Sequence, residues 1–262
     1  MSTSSSPPTP SVSYIDFAST PLAKWYSGSY ALVIDNLFSP EECAELIALA
    51  ESTVSDDGQG WQPAKISVGT DQILNTSYRF NHRILRFDHD GARKIYEKVL
   101  PFVEKDIGTI TEDSKWSGIV DGGRRNATGT WKLVGLNERL SFLRYGPGHF
   151  FKKHMDGQQE LPDGRKSRVT IQIYLNGSDS DVIEGGATRF WNPSFPSRDD
   201  KTLDVMPKMG RALIFQQRGL YHTGETVQKG VKYTMRTDFM FRFVVAGVSI
   251  LRSTGKYRCS IR

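Results

Sequence analysis

From Asn137 onward, apolar and polar residues alternate in short runs broken by Gly, Pro, Asn and Ser, the period-2 pattern of strands separated by turns. The runs 140–145, 169–175, 187–191, 202–206, 212–216 and 233–244 are the strands this predicts. Upstream, 30–34 (YALVI) is a short β-rich run where order is expected to begin. Ser39-Pro40-Glu41-Glu42 then reads as a helix start, with serine as N-cap, proline at the first helical position and acids in the first turn. Cys43, Leu46, Ile47 and Ala50 continue it at helical spacing, which makes Cys43 a packed core residue rather than a reactive thiol. A second helix follows from Ala92, Ile95, Tyr96, Val99 and Leu100, ending before Pro101. The expected architecture is mainly β, a barrel or sandwich with helices packed on its outside.

Residues 1–25 are rich in Ser, Thr and Pro and are expected to form a disordered tail. A single domain is expected over 26–246, with its β core at about 137–244, and a basic tail over 247–262. The polar stretch 109–130 is longer than an ordinary connector and reads as a loop near a binding site or a surface insertion.

Composition narrows the function classes. A chain of 262 residues buries enough surface to fold without a disulfide or structural metal. Its two cysteines, Cys43 and Cys259, exclude a disulfide scaffold and a cysteine-rich zinc site. No apolar run approaches the roughly 18 residues of a membrane helix, and the N-terminus carries no secretory signal pattern. A soluble, intracellular and cytoplasmic protein without a membrane partner is the expectation. The formal net charge is +5, but Arg252, Lys256, Arg258 and Arg262 supply four of those charges from the last 14 residues. The remainder is nearly neutral and shows no basic stripe with interleaved aromatics, so no nucleic-acid partner is expected.

Of the five histidines, His82, His89 and His149 lack a ligand pattern and read as structural or surface residues. His154-Met155-Asp156 differs. On an extended chain residues i and i+2 point to one side, so an imidazole and a carboxylate can grip one ion. His222, following the apolar run 212–215, is the candidate third ligand. Two histidines and a carboxylate form the facial triad of non-haem Fe(II) oxygenases, which leaves positions open for a bidentate oxo-acid and O₂. Accidental placement of the three still competes at this point. Beyond His222, the odd positions Tyr233, Met235, Phe239, Phe241 and Phe243 form an apolar face, and Lys232, Thr234, Arg236 and Asp238 a polar one. The polar face either meets water or lines a barrel interior, where a buried cation must meet an anion.

The motifs Arg144-Tyr145-Gly146-Pro147-Gly148-His149-Phe150-Phe151-Lys152-Lys153-His154-Met155-Asp156, Ile173-Tyr174-Leu175-Asn176, Glu184-Gly185-Gly186-Ala187-Thr188-Arg189-Phe190, Pro207-Lys208-Met209-Gly210-Arg211-Ala212-Leu213-Ile214-Phe215 and His222-Thr223-Gly224-Glu225 follow in order over 137–243. Together they resemble the Fe(II)/2-oxoglutarate-dependent dioxygenases of the prolyl 4-hydroxylase type. The resemblance implies a double-stranded β-helix of the jelly-roll or cupin-like kind, with iron on His154, Asp156 and His222. It implies that Lys232 anchors the far carboxylate of 2-oxoglutarate, with Tyr145 hydrogen-bonding the same molecule and Arg236 as runner-up or second anchor. It implies 2-oxoglutarate and O₂ as co-substrates and ascorbate as an aid to turnover. The Gly224-Glu225-Thr226-Val227 turn and Arg236-Thr237-Asp238 depart from the animal collagen-type pattern and bear on the substrate, not the chemistry.

The implied reaction couples decarboxylation of 2-oxoglutarate to succinate with hydroxylation of a C–H bond, and a carboxylate ligand such as Asp156 favours hydroxylation over halogenation. Peptidyl proline or another protein side chain is the leading substrate. A small molecule or natural product is the alternative, and a catalytically silent peptide-binding barrel the alternative from another class. Gly185-Gly186 is expected to make a tight bend beside the site, while Trp131 and Trp191 are candidates for packing or for a substrate groove.

Overall fold

The structure is a computed structural model describing residues 8–52, 60–69, 71–120, 129–177, 183–194 and 201–245. Its centre is the long strand Lys232–Val245, which pairs with Lys166–Tyr174 on one side and Arg139–Tyr145 on the other. The sheet continues outward in the order Ala212–Gln216, Ala31–Asp35 and Ser11–Tyr14 at one edge, and His82–Phe87 and Gln62–Pro63 at the other. The second half of Lys232–Val245 also pairs with Gly129–Leu136. A smaller sheet runs Thr202–Val205, Thr188–Trp191, Tyr221–Gly224, Phe150–His154, Arg79–Phe80. The two sheets face one another across a cavity, a mainly β, double-stranded β-helix arrangement with few helices.

The alternation along Lys232–Val245 separates two environments. Met235, Phe239 and Phe241 are buried in one apolar cluster with Ile95, Val99 and Val103 of the helix His89–Ile107. Lys232, Thr234 and Asp238 are buried on the opposite face, which lines the cavity. The helices therefore cover the outside of the large sheet. Pro40–Glu51 begins as the sequence predicts, with Ser39 and Glu42 exchanging reciprocal capping hydrogen bonds and Pro40 in the first turn. Cys43 is 1% exposed, and burial pushes its thiol up to about 11.

Several boundaries differ from expectation. Residues 1–25 are not wholly a disordered tail. Ser11–Tyr14 forms an edge strand on Ala31–Asp35, Phe17–Ser19 and Ala23–Tyr26 are short helical turns, and Phe17, Leu22 and Tyr26 are buried against Phe190 and Phe215. The strand escaped notice because all four of its residues are exposed, so ladder hydrogen bonds hold it without an apolar alternation. The second helix does not stop before Pro101. It runs His89–Ile107, because Val103 and Ile107 extend the buried stripe and Pro101 sits on the exposed side, where losing one N–H is tolerated. Within 109–130, Thr109–Ile110 pairs with Gly129–Leu136, and Ile110 and Ile119 are buried; residues 121–128, like the tail 247–262, lie outside the described residues.

Candidate metal and co-substrate site

The strands Phe150–His154 and Tyr221–Gly224 are neighbours, with His154 directly opposite His222. The pairing shifts register between Phe151 and His154, the kind of irregularity that re-aims a side chain. Asp156 follows two residues past the strand end. The ligand atoms of His154, Asp156 and His222 lie within 4.8 Å of one another, the one such cluster of three found among the described residues. One Asp156 oxygen, Oδ1, is 3.8 Å from Nε2 of each histidine.

Each of these side chains is oriented by a further contact. His154 Nδ1 lies 2.7 Å from the Lys152 carbonyl and His222 Nδ1 3.3 Å from the Leu220 carbonyl, which places the proton on Nδ1 and the Nε2 lone pair toward the cluster. Burial lowers the pKa of both imidazoles, keeping them neutral. Phe151 stacks on His154 at 3.6 Å between centroids. The second Asp156 oxygen, Oδ2, accepts a hydrogen bond from Thr170 at 2.7 Å and lies 3.3 Å from Arg236 Nε. Burial opposes ionisation of Asp156, yet Arg236 and the Thr170 hydrogen bond hold its carboxyl well below the usual carboxylate range. Two neutral imidazoles and one ionised, pre-oriented carboxylate suit a divalent first-row metal such as Fe(II).

The other sequence-derived candidates divide. Lys232 is 1% exposed; its Nζ donates to the Gly186 carbonyl at 2.6 Å and sits 4.4 Å from the centre of the Tyr145 ring. It forms no ion pair among the described residues, and burial lowers its pKa to about 7 despite the opposing field of Glu225. Gly186, at φ +70°, allows this approach, since a Cβ there would meet Val227 at 3.0 Å and the Lys232 stem at 3.3 Å. Thr234, also buried, has a hydroxyl without a hydrogen-bond partner and lines the same cavity. Burial raises the pKa of the Tyr145 phenol, which stays protonated as a donor. Arg236 is already engaged: besides Asp156, its Nη2 donates to Asp238 at 3.0 Å. Asp238 in turn accepts from Gln217 at 2.8 Å.

The remaining candidates fall outside the site. His149 packs against Phe80 and His82, and His89 is exposed beside Glu138. Trp131 packs at a tilt against Phe243 under Arg168, while Trp191 donates to Thr223; neither lines the cavity. Sequence reasoning missed Thr170, Arg79, Arg83 and Arg139, all of which line it or brace it. The parity of Tyr145 was the available signal for Arg139, since residues 139, 141, 143 and 145 share one strand face.

The described residues thus bring a His-Asp-His cluster and a buried cation to one cavity between two sheets. A sequence model of the 2OG-Fe(II) oxygenase superfamily matches residues 140–239, a stretch that contains the three cluster residues, Tyr145, Lys232 and Arg236. No curated protein matches it by sequence. Among solved structures it is similar to a Pseudomonas putida prolyl-4-hydroxylase (17% identity, 86% of this chain and 95% of that chain covered, TM-score 0.49). It is also similar to a viral collagen prolyl hydroxylase from Paramecium Bursaria Chlorella virus-1 in a 2OG complex (16%, 82% and 97%, 0.45). A third likeness is to a prolyl hydroxylase from Trichoplax adhaerens in complex with a hypoxia inducible factor peptide fragment (16%, 80% and 82%, 0.48). No helix among the described residues is long and apolar enough to cross a membrane.

Proposed function

We propose that the protein hydroxylates a C–H bond of its substrate, with Fe(II) held by His154, Asp156 and His222 and 2-oxoglutarate anchored by Lys232. The observation that carries this reading is Lys232. A fully buried ammonium without a carboxylate is costly, and an anion that enters the cavity relieves the cost. The far carboxylate of 2-oxoglutarate is that anion, with the free Thr234 hydroxyl and the Tyr145 phenol as further donors. Arg236 is the lesser candidate for this role, because its guanidinium already serves Asp156 and Asp238. Its part is to hold the iron-binding carboxylate ionised and aimed. Iron and 2-oxoglutarate together supply the oxidising chemistry when bound; the protein excludes water and sets which C–H bond lies within reach.

The test is aerobic incubation of the full chain with Fe(II), 2-oxoglutarate and ascorbate to keep the iron ferrous, following succinate by mass spectrometry. Slow succinate formation without added substrate, abolished by a chelator, is expected. Succinate no faster than in iron-free controls would overturn the assignment.

A further inference from the structure

The cavity holds more positive charge than iron chemistry and 2-oxoglutarate need. Arg79, Arg83, Arg139, Lys232 and Arg236 line it, against the carboxylates Asp156 and Asp238. Iron adds two positive charges and 2-oxoglutarate removes two, so a surplus of three remains. It resides in Arg79, Arg83 and Arg139, none of which forms an ion pair among the described residues.

Arg79 is 9% exposed; its Nε donates to Asn81 at 2.8 Å and its guanidinium lies 4.5 Å from the centre of the Phe151 ring, beside His154. Arg83 and Arg139 are half-buried on adjacent strands of the large sheet, and neither guanidinium makes a hydrogen bond among the described residues. Burial, then Arg79, Arg139 and Arg236, push the pKa of Arg83 down to about 10, the mark of cations crowded around a common space. Such crowding is unfavourable unless an anion fills that space.

The register sets Arg139 apart from the Lys232 end, while Arg83 is level with Thr234 and Arg79 lies beside Tyr145. Along Arg139–Tyr145, Tyr145 lies opposite Lys232, Leu143 opposite Thr234 and Ser141 opposite Arg236, with Arg139 two residues further on. Arg139 is thus roughly 20 Å along the strand from Tyr145, several times the length of a five-carbon diacid. Arg83 lies opposite Leu143 on the next strand out.

We infer that Arg79, Arg83 and Arg139 bind the anionic group of the substrate, and that the substrate is a small organic acid, a carboxylate or phosphate, rather than a neutral prolyl peptide. Guanidinium forks suit both oxyanions. The arginines and the His-Asp-His cluster line one cavity, so the anion and the oxidised carbon share that space. The inference rests on the iron and 2-oxoglutarate reading above.

The experiment uses the full chain loaded with Mn(II) and saturated with N-oxalylglycine, which fills the co-substrate position without reacting. Inorganic phosphate is then titrated by calorimetry, alongside matched pairs of small carboxylic acids with their amides and phosphate esters with their parent alcohols. Millimolar or tighter binding of phosphate is expected, with each acid binding at least tenfold more tightly than its neutral counterpart; the better-bound series identifies carboxylate or phosphate. The double variant R83Q/R139Q should weaken phosphate binding at least tenfold more than it weakens N-oxalylglycine, and R83K/R139K should restore most of the loss. Phosphate binding that is absent or unchanged in R83Q/R139Q would overturn the inference. So would equal losses for phosphate and N-oxalylglycine, or a neutral prolyl peptide that raises succinate release as well as any acid. Failure of N-oxalylglycine to bind the wild-type Mn(II) protein is a separate result, and it refutes the co-substrate reading instead.

Discussion

Arg236 and Lys232 stand four residues apart on one face of one strand and live in opposite electrostatic conditions. Arg236 lies between Asp156 and Asp238, charges that answer one another. Lys232 has a carbonyl and an aromatic face and no counter-ion among the described residues. The lesson is that a satisfied buried charge builds geometry, whereas an unsatisfied one is a vacancy for a ligand. The same contrast separates Arg165, bidentate to Glu138, from Arg83 and Arg139 inside the cavity.

The largest effect should come from the satisfied cluster. Asp156→Ala is expected to reduce succinate formation at least a thousandfold while circular dichroism shows the fold retained; an active variant would break the triad assignment. Next come Arg236→Met and Lys232→Met, which should move stability in opposite directions. Removing Arg236 leaves two buried carboxylates without their cation and should cost about 3–5 kcal/mol in denaturant unfolding. Removing Lys232 relieves a buried, unpaired ammonium and should stabilise the fold by about 1–4 kcal/mol at pH 6–7, while raising the 2-oxoglutarate KM about a hundredfold. Loss of stability in both would erase the distinction between the two cations.

A smaller effect follows pH. The folded pKa of Lys232 is depressed to about 7 by burial, so its destabilising charge is present below that value and disappears as pH rises toward the unfolded lysine value. Stability should therefore climb above pH 7. Affinity for the dianionic co-substrate should fall over the same window, by up to tenfold per pH unit, because binding needs the charged form. Calorimetry of N-oxalylglycine binding to the Mn(II) protein between pH 6 and 9 checks this, and a flat profile would contradict it. The smallest change is Thr170→Val, which removes the hydroxyl that orients Asp156. It should weaken metal binding about 10-fold, up to 100-fold, measured by competition with a chromophoric chelator.

Which of these residues the sequence revealed depends on whether local order or register placed them. The alternation over 232–244 separated apolar from polar positions correctly, because a strand between a helix layer and a cavity needs two different faces. The six runs from 140 onward match strands to within three residues at either end. The Ser39 cap was visible because it acts over three residues. Thr170 and Arg83 were not, since what makes them matter is pairing across strands far apart in sequence: Thr170 lies opposite Asp238 and Arg83 opposite Leu143. Ser11–Tyr14 was invisible for a different reason, having no buried face to leave a pattern. The total charge misled in the same way. Counted along the chain, it pointed to the C-terminal tail; counted by location, five cations converge on one cavity.

The position of Lys232–Val245 has a consequence for how the protein comes into being. The last described strand to be synthesised is the middle of the large sheet, and both of its neighbours, Arg139–Tyr145 and Lys166–Tyr174, must wait for it. Ala31–Asp35 waits similarly for Ala212–Gln216, some 180 residues away. On the ribosome the sheet cannot close until the residues of Lys232–Val245 have emerged, which makes folding slow and dependent on distant contacts. Because Lys232 and Arg236 arrive on that closing strand, the nascent chain acquires its fold and its binding charges in one event. On the proposed assignment, a partly made chain would lack both the anchor for co-substrate and the brace on Asp156.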